Sequence, residues 1–216
     1  KAAKGEFIVR MDAHSEYPPD YVRRCVKLLL DSGAANAGGR FETVPDGAGP
    51  WAAAVAFVTS HRLGVGGAAF RTAAPAGFVD TVPYGTFRRS LFDEVGYFDE
   101  RLTRNQDNEF NARLRARGLK IAYDPAIVIR YRNQATLAGL LRQAWKTGAW
   151  NVYTLRLYPH SWSPRRFVPA AFALYLAALA ALAASRSPAA PLAGAPLALY
   201  AALVAGASLG AGRRAP

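Results

Sequence analysis

The sequence predicts an α/β domain followed by a pair of apolar helices, and three observations carry that prediction. Short apolar runs, Phe7-Ile8-Val9 and Ile121 to Val128, are separated by stretches of helical spacing, the alternation of a layered α/β domain. Charge is confined to the first part of the chain: after Arg166 only Arg186, Arg213 and Arg214 remain, and all 15 acidic residues lie earlier. Two long uncharged runs, Phe167 to Ala184 and Ala189 to Ala211, fill the rest.

Taken in order, Phe7-Ile8-Val9 reads as a short strand leading into Met11-Asp12-Ala13-His14. Pro18-Pro19-Asp20 starts a helix that runs to Ser32-Gly33 and carries Cys25 among its apolar positions. Gly38 to Val44 is a strand, and Pro45 to Pro50 a loop by composition. Trp51 to Leu63, rich in alanine, reads as helix, and Gly64-Val65-Gly66-Gly67 as a glycine-rich loop. Asp80 to Arg88 is a strand, Arg89 to Val95 a short helix closed by Gly96. Thr103 to Gln106 fits a capping box, with Thr103 as N-cap of a helix ending at Arg117-Gly118. Leu137, Leu140, Leu141, Trp145, Ala149 and Val152 then repeat at helical spacing with Arg142, Lys146 and Asn151 between them. A basic amphipathic helix with two tryptophans suits a membrane interface as well as a packing face of the domain.

The two uncharged runs decide for the membrane. Each is long enough to span, Arg165-Arg166 precede the first, and Arg213-Arg214 follow the second. The positive-inside rule puts both ends of this hairpin and the body of the protein in the cytoplasm. A soluble helical hairpin is the alternative. The resulting organisation is an α/β part over 1–135, an amphipathic interface segment over 136–166 and a two-helix transmembrane region over 167–216.

Composition narrows the function. The chain of 216 residues has a formal net charge of +12, which suits anionic lipid. Nucleic acid is not expected as a partner, because the basic residues are interspersed with acids and no zinc or aromatic RNA-binding signature accompanies them. The single cysteine excludes an internal disulfide and any cysteine-based zinc site. His61 and His160 have no acidic partners at ligand spacing and read as surface residues. Gly64, Gly66 and Gly67 are not followed by a Lys-Ser/Thr pair, so they form a tight turn rather than a phosphate loop. Asp124 before Pro125 reads as a turn residue.

Two acidic signals carry the chemistry. Asp12 and His14 are two residues apart at the carboxyl end of a strand, on one side of an extended segment. A carboxylate with an imidazole suits a divalent metal of intermediate softness. Asp107, Phe110 and Leu114 share one face of the later helix, so Asp107 sits in its first turn at the rim of the core. A metal-side carboxylate and a separate helix-borne one are what group transfer from a diphosphate donor needs.

In this order and combination the motifs resemble family 2 glycosyltransferases of the GT-A fold, especially the membrane-attached bacterial ones. Gly5 to His14 resembles the strand and Asp-x-Asp-type metal motif. Gly64 to Arg71 and Val79 to Gly85 resemble the lining of the donor and acceptor cleft. Val95 to Glu100, followed by Gln106 to Phe110 with Arg113, resembles the stretch bearing the family's base. The resemblance implies Mg²⁺ or Mn²⁺ at Asp12 and His14, Asp107 as the base, and an inverting transfer from a nucleotide-sugar, UDP-linked, to a lipid-linked saccharide. It implies substrate contacts for Gly66, Gly67, Arg71, Tyr84, Gly85, Gln106, Glu109 and Arg113, and exopolysaccharide or cell-envelope assembly as the setting. Arg142-Gln143-Ala144-Trp145 is a loose echo of the Gln-x-x-Arg-Trp motif of processive relatives, which brings in Gln143 and Trp145. Gln106 stands where the family usually has Glu. The family's nucleotide-gripping first strands precede any counterpart here, so the chain reads as the second half of a catalytic domain with its anchor. Two alternatives stay open: a polyprenyl-phosphate glycosyltransferase, and an inactive membrane-bound interaction module.

Overall fold

A computed structural model describes residues 2–161 and 167–212. The chain divides into two compact units, Lys1–Trp162 and Ser163–Pro216. The first is built on a mixed sheet of six strands among the described residues: β1 (Phe7–Val9), β2 (Ser15–Glu16), β3 (Asn36–Val44), β4 (Gly77–Phe78), β5 (Thr86–Arg88) and β6 (Ile121–Arg132). Their order is β1-β5-β3-β6-β2, with β4 on the early part of β6. β3 and β6 are parallel and form the spine, while β1 lies antiparallel to β5 and β2 antiparallel to β6.

That spine is interrupted once. Its register shifts between Gly38 and Arg40, opposite Asp124-Pro125. Proline cannot donate to the ladder, and the Asp124 carboxylate accepts instead from the Ala126 amide at 2.8 Å. Gly39 makes this possible: a Cβ there would lie 1.9 Å from the Ile127 carbonyl oxygen. The turn expected at Asp124 is therefore a kink inside one long strand.

Helix α1 (Tyr21–Ser32) buries Tyr21, Cys25 and Leu29 at i, i+4 and i+8, and closes on Gly33 in the left-handed conformation. Cys25 is fully buried, a small apolar residue of this face. A second core joins Phe87, Phe92, Phe98 and Phe110 with Leu91, Val95 and Leu114. It packs α5 (Leu91–Val95) and α6 (Gln106–Ala116) on β5; Phe110 lies 4.7 Å from Phe98 and 5.3 Å from Phe87 between ring centroids. Tilted and edge-on rings of this kind add to the burial of their area.

Several elements depart from their sequence expectation. The alanine-rich helix stops early: α2 covers Pro50–Val58, where the Thr59 and Ser60 hydroxyls turn back onto Val55 and Ala56 carbonyls. The glycine-rich loop is partly helical, since Gly64 lies in α3 (Arg62–Val65), and α4 (Ala69–Thr72) follows. His61 caps α3 by accepting from the Leu63 amide and stacks on Phe57. The strand expected over Asp80 to Arg88 shortens to β5, because Tyr84 and Gly85 both adopt positive φ and turn the chain. The capping box at Thr103 does not form. The N-cap of α6 is Asn105, at φ +66°, and the Gln106 amide donates to the Leu102 carbonyl instead.

Helix α7 (Leu137–Leu157) completes the first unit; Thr136 caps it by accepting from the Gly139 amide at 3.1 Å. In the second unit, α8 (Val168–Ala184) and α9 (Ala190–Gly212) contact each other through Phe172 and Tyr200 and through the Tyr175 hydroxyl, which donates to the Ala193 carbonyl at 2.7 Å. Only one described helix, over Ala190–Gly210, is long and apolar enough to cross a membrane; α8, with 17 residues, is shorter. The expected pair of spans thus becomes one candidate span and one shorter apolar helix. Arg165-Arg166 and Arg213-Arg214, which set the expected orientation, and the His160 side chain lie outside the described residues.

Candidate active site

The end of β1, the turn before β5 and the first turn of α6 converge on one cavity of about 660 Å³. Asp12 and His14 reach it from the segment after β1, Tyr84 from the turn before β5, Gln106 and Asp107 from α6, Arg71 from α4 and Gln143 from α7. The carboxylate pair separated by 95 positions in sequence is thus brought to a single space, as the strand-end and helix-start placements required.

The metal candidates are arranged as a couple. His14 Nδ1 lies 2.7 Å from Asp12 Oδ1, and the His14 amide donates to the same oxygen at 2.9 Å. The His14 amide first and its ring second hold the Asp12 carboxyl below its usual range, against the opposing effect of burial. The Tyr17 hydroxyl accepts from the Asp12 amide at 2.7 Å and fixes the backbone. Among the described residues no group of three or more His, Cys, Asp or Glu side chains is close enough to hold a metal. Two accessible donors fit a cation whose other positions are filled by ligand oxygens or water; they do not fit one enclosed by protein.

Asp107 is half-buried and accepts from the Asn108 amide at 2.9 Å. Its helix is fixed from behind by a fully buried chain. Asn36 donates to Asn111 at 2.7 Å, Asn111 donates to Thr81 at 2.8 Å, and the Asn36 oxygen accepts from the Thr86 amide at 3.1 Å. Buried amides with every partner present specify one arrangement. Gly85 belongs to this support: a Cβ there would lie 2.6 Å from Asn36 Oδ1.

Other expected substrate contacts lie elsewhere. Glu109 is fully buried and ion-paired with Arg113, at 2.6 Å, while Arg113 also donates to the Val95 and Tyr97 carbonyls. The pair fastens α6 to the end of α5, and neither residue lines the cavity. Gly66, Gly67, Gly85 and Trp145 are likewise absent from its lining.

Arg10 was missed. It alternates with Asp12 and His14, which was the available signal, and it donates to Gln106 Oε1 at 3.0 Å while its guanidinium lies 5.4 Å from the Phe98 ring. Its Nη1 is buried without a partner. Arg71 sits over Phe41, Phe70 and Tyr131, donates to the Thr59 carbonyl at 3.4 Å and has no carboxylate partner among the described residues; burial lowers its pKa, yet a guanidinium stays charged. The cavity also takes in Arg104, Arg132, Arg142 and Lys146, against only Asp12 and Asp107 as acids. Such a space attracts an anion.

Residues 1–96 match the sequence model of a family described as glycosyl transferase family 2. The chain is 32% identical over 141 residues to the succinoglycan biosynthesis protein ExoA of Rhizobium meliloti (strain 1021), an alignment covering 65% of this chain and 42% of that protein. It is 26% identical over 155 residues to the dolichyl N-acetyl-alpha-D-glucosaminyl phosphate 3-beta-D-2,3-diacetamido-2,3-dideoxy-beta-D-glucuronosyltransferase of Methanococcus voltae, covering 69% of this chain and 47% of that protein. The resemblance read from the motifs is thus matched by the family model over residues 1–96. The chain spans less than half the length of these curated relatives. Asp12 and His14 fall inside the matched segment, and Asp107 falls beyond it.

Proposed function

We propose that the protein acts in sugar transfer from a nucleotide-diphosphate donor, UDP-linked, to a lipid-linked saccharide in exopolysaccharide or cell-envelope assembly at the inner membrane. One observation carries this reading: the Asp12–His14 couple and the Asp107 carboxylate face a single cavity whose other charged groups are cations. The relatives' names, a succinoglycan biosynthesis protein and a glycosyltransferase acting on a dolichyl-phosphate-linked sugar, point the same way.

Asp12 and His14 would hold Mg²⁺ or Mn²⁺, which when bound offsets charge on the leaving diphosphate. Asp107 takes the proton of the acceptor hydroxyl as its oxygen attacks the anomeric carbon. The bond from that carbon to the diphosphate breaks, the electron pair leaves with the nucleoside diphosphate, and the centre inverts in one displacement. Arg10 and Arg71 orient the anionic donor; the buried Asn36–Asn111–Thr81 chain holds α6 so that Asp107 meets the acceptor without rearrangement.

Calorimetry with UDP and UDP-sugars in the presence of Mn²⁺, on this chain and on the longest product of its gene, tests the reading. Metal-dependent binding that weakens in Asp12→Ala is expected. Binding in neither form would overturn the transferase and leave an interaction module.

A further inference from the structure

Tyr84 and Gly85, the turn before β5, touch both shoulders of the Asp12–His14 segment. The Gly85 carbonyl accepts from the Arg10 amide, just before Asp12, at 3.0 Å. The Tyr84 hydroxyl lies 2.8 Å from Ser15 Oγ, just after His14, and either group can donate. Between these contacts the chain closes on itself, with the Ser15 amide donating to the Asp12 carbonyl at 3.3 Å. Tyr17 adds a third hold: its hydroxyl accepts from the Asp12 amide, and its ring lies 6.0 Å from that of Tyr84.

Tyr84 reaches this place in an unfavourable backbone conformation. Its φ is +63°, a left-handed value that a bulky aromatic residue seldom adopts and glycine takes freely. Such strain persists only where surrounding contacts over-determine it, and it gathers at functional sites. Here the ring packs on Phe41, 5.4 Å away between centroids, and the hydroxyl meets Ser15. Tyr84 lines the cavity but Ser15 does not, so a substrate contact alone leaves their hydrogen bond unexplained. The Asp12 and His14 side chains themselves are open, 44% and 81% exposed, so packing does not fix them and the backbone beneath them must.

We propose that the Tyr84–Gly85 turn is the clamp that sets the spacing of the Asp12–His14 couple, with Tyr84 a positioning residue acting through Ser15. The inference rests on the transferase reading for the metal and deepens it by naming the residues that pre-form its two protein donors. A site with so few donors depends on outer contacts to orient them.

Mn²⁺ titration of the full chain without nucleotide, following the free ion by electron paramagnetic resonance, tests this. Tyr84→Phe and Ser15→Ala are each expected to weaken Mn²⁺ binding about fivefold, the worth of one hydrogen bond. The double variant is expected to weaken it no further, because both changes remove the same bond. Matching melting curves separate positioning from general destabilisation, and Ser15→Ala carries the test if Tyr84→Phe folds poorly. Unchanged affinity in the single variants, or losses that multiply in the double one, would overturn the clamp while the metal site stands. A parent that binds no more Mn²⁺ than Asp12→Ala would overturn the metal assignment and the clamp together.

Discussion

The two helices that line the cavity are built on opposite terms. Helix α6 is eleven residues long and buries Glu109, Phe110, Asn111, Ala112 and Leu114; α7 is 21 residues long and buries one. The first is held by an aromatic cluster, a buried ion pair and a buried amide chain. The second keeps its apolar residues on the outside. A packed helix holds its cavity side chains in one position, whereas a helix with few buried contacts leaves them freer to move. One cavity wall is held by its packing, the other is open along its outer face.

Removing the contrast from the α6 side should cost most. Phe110→Ala opens a hole in the cluster of Phe87, Phe92 and Phe98 and is expected to lower unfolding free energy by up to about 5 kcal/mol, measured by denaturant titration. Asp107→Asn leaves that packing intact and should reduce transfer by about 10³-fold, roughly 4 kcal/mol of barrier, with nucleotide affinity unchanged. A rate loss that tracks a loss of donor affinity would remove Asp107 from the role of base.

Asp99 offers a smaller effect with a pH signature. The Arg101 guanidinium, and secondarily the Tyr158 hydroxyl, hold its carboxyl well below the usual range against the opposing effect of burial. A folded-state pKa below the unfolded one gives stability that is present above the unfolded value and lost as pH falls beneath it. The melting temperature of the parent should therefore exceed that of Asp99→Asn at neutral pH, with the gap closing as pH falls below about 4. A gap independent of pH would contradict the assignment. The smallest change in stability is expected at Trp145→Ser, within about 0.5 kcal/mol because the ring packs on little. A large stability loss there would instead make α7 an ordinary packing helix.

What could be read ahead of the structure was what is periodic. The Tyr21–Cys25–Leu29 face of α1 and the Phe110–Leu114 face of α6 follow from spacing, and so does the rim position of Asp107. The exposed stripe of α7 was likewise visible as alternating apolar and basic positions. What escaped depends on contacts made across the sequence. Burial of Glu109 needs the Arg113 guanidinium together with two carbonyls at the end of α5. Asn36 and Asn111 meet across 75 positions, beyond any local pattern. The failed capping box has a local reason: Asn105 takes the left-handed conformation that asparagine tolerates better than most residues, and the cap falls two positions after the expected one.

That asparagine has a mechanical consequence. Its side-chain amide donates to Asn151 Oδ1 of α7 at 2.9 Å, while its backbone begins α6. Asn105 thus ties α7 to the start of α6 near the end of α7, while Thr136 only caps the first turn of α7 itself. Displacing the end of α7 therefore pulls on the start of α6, two residues from Asp107, through the Asn105 side chain, which reaches both Asn151 and Thr154.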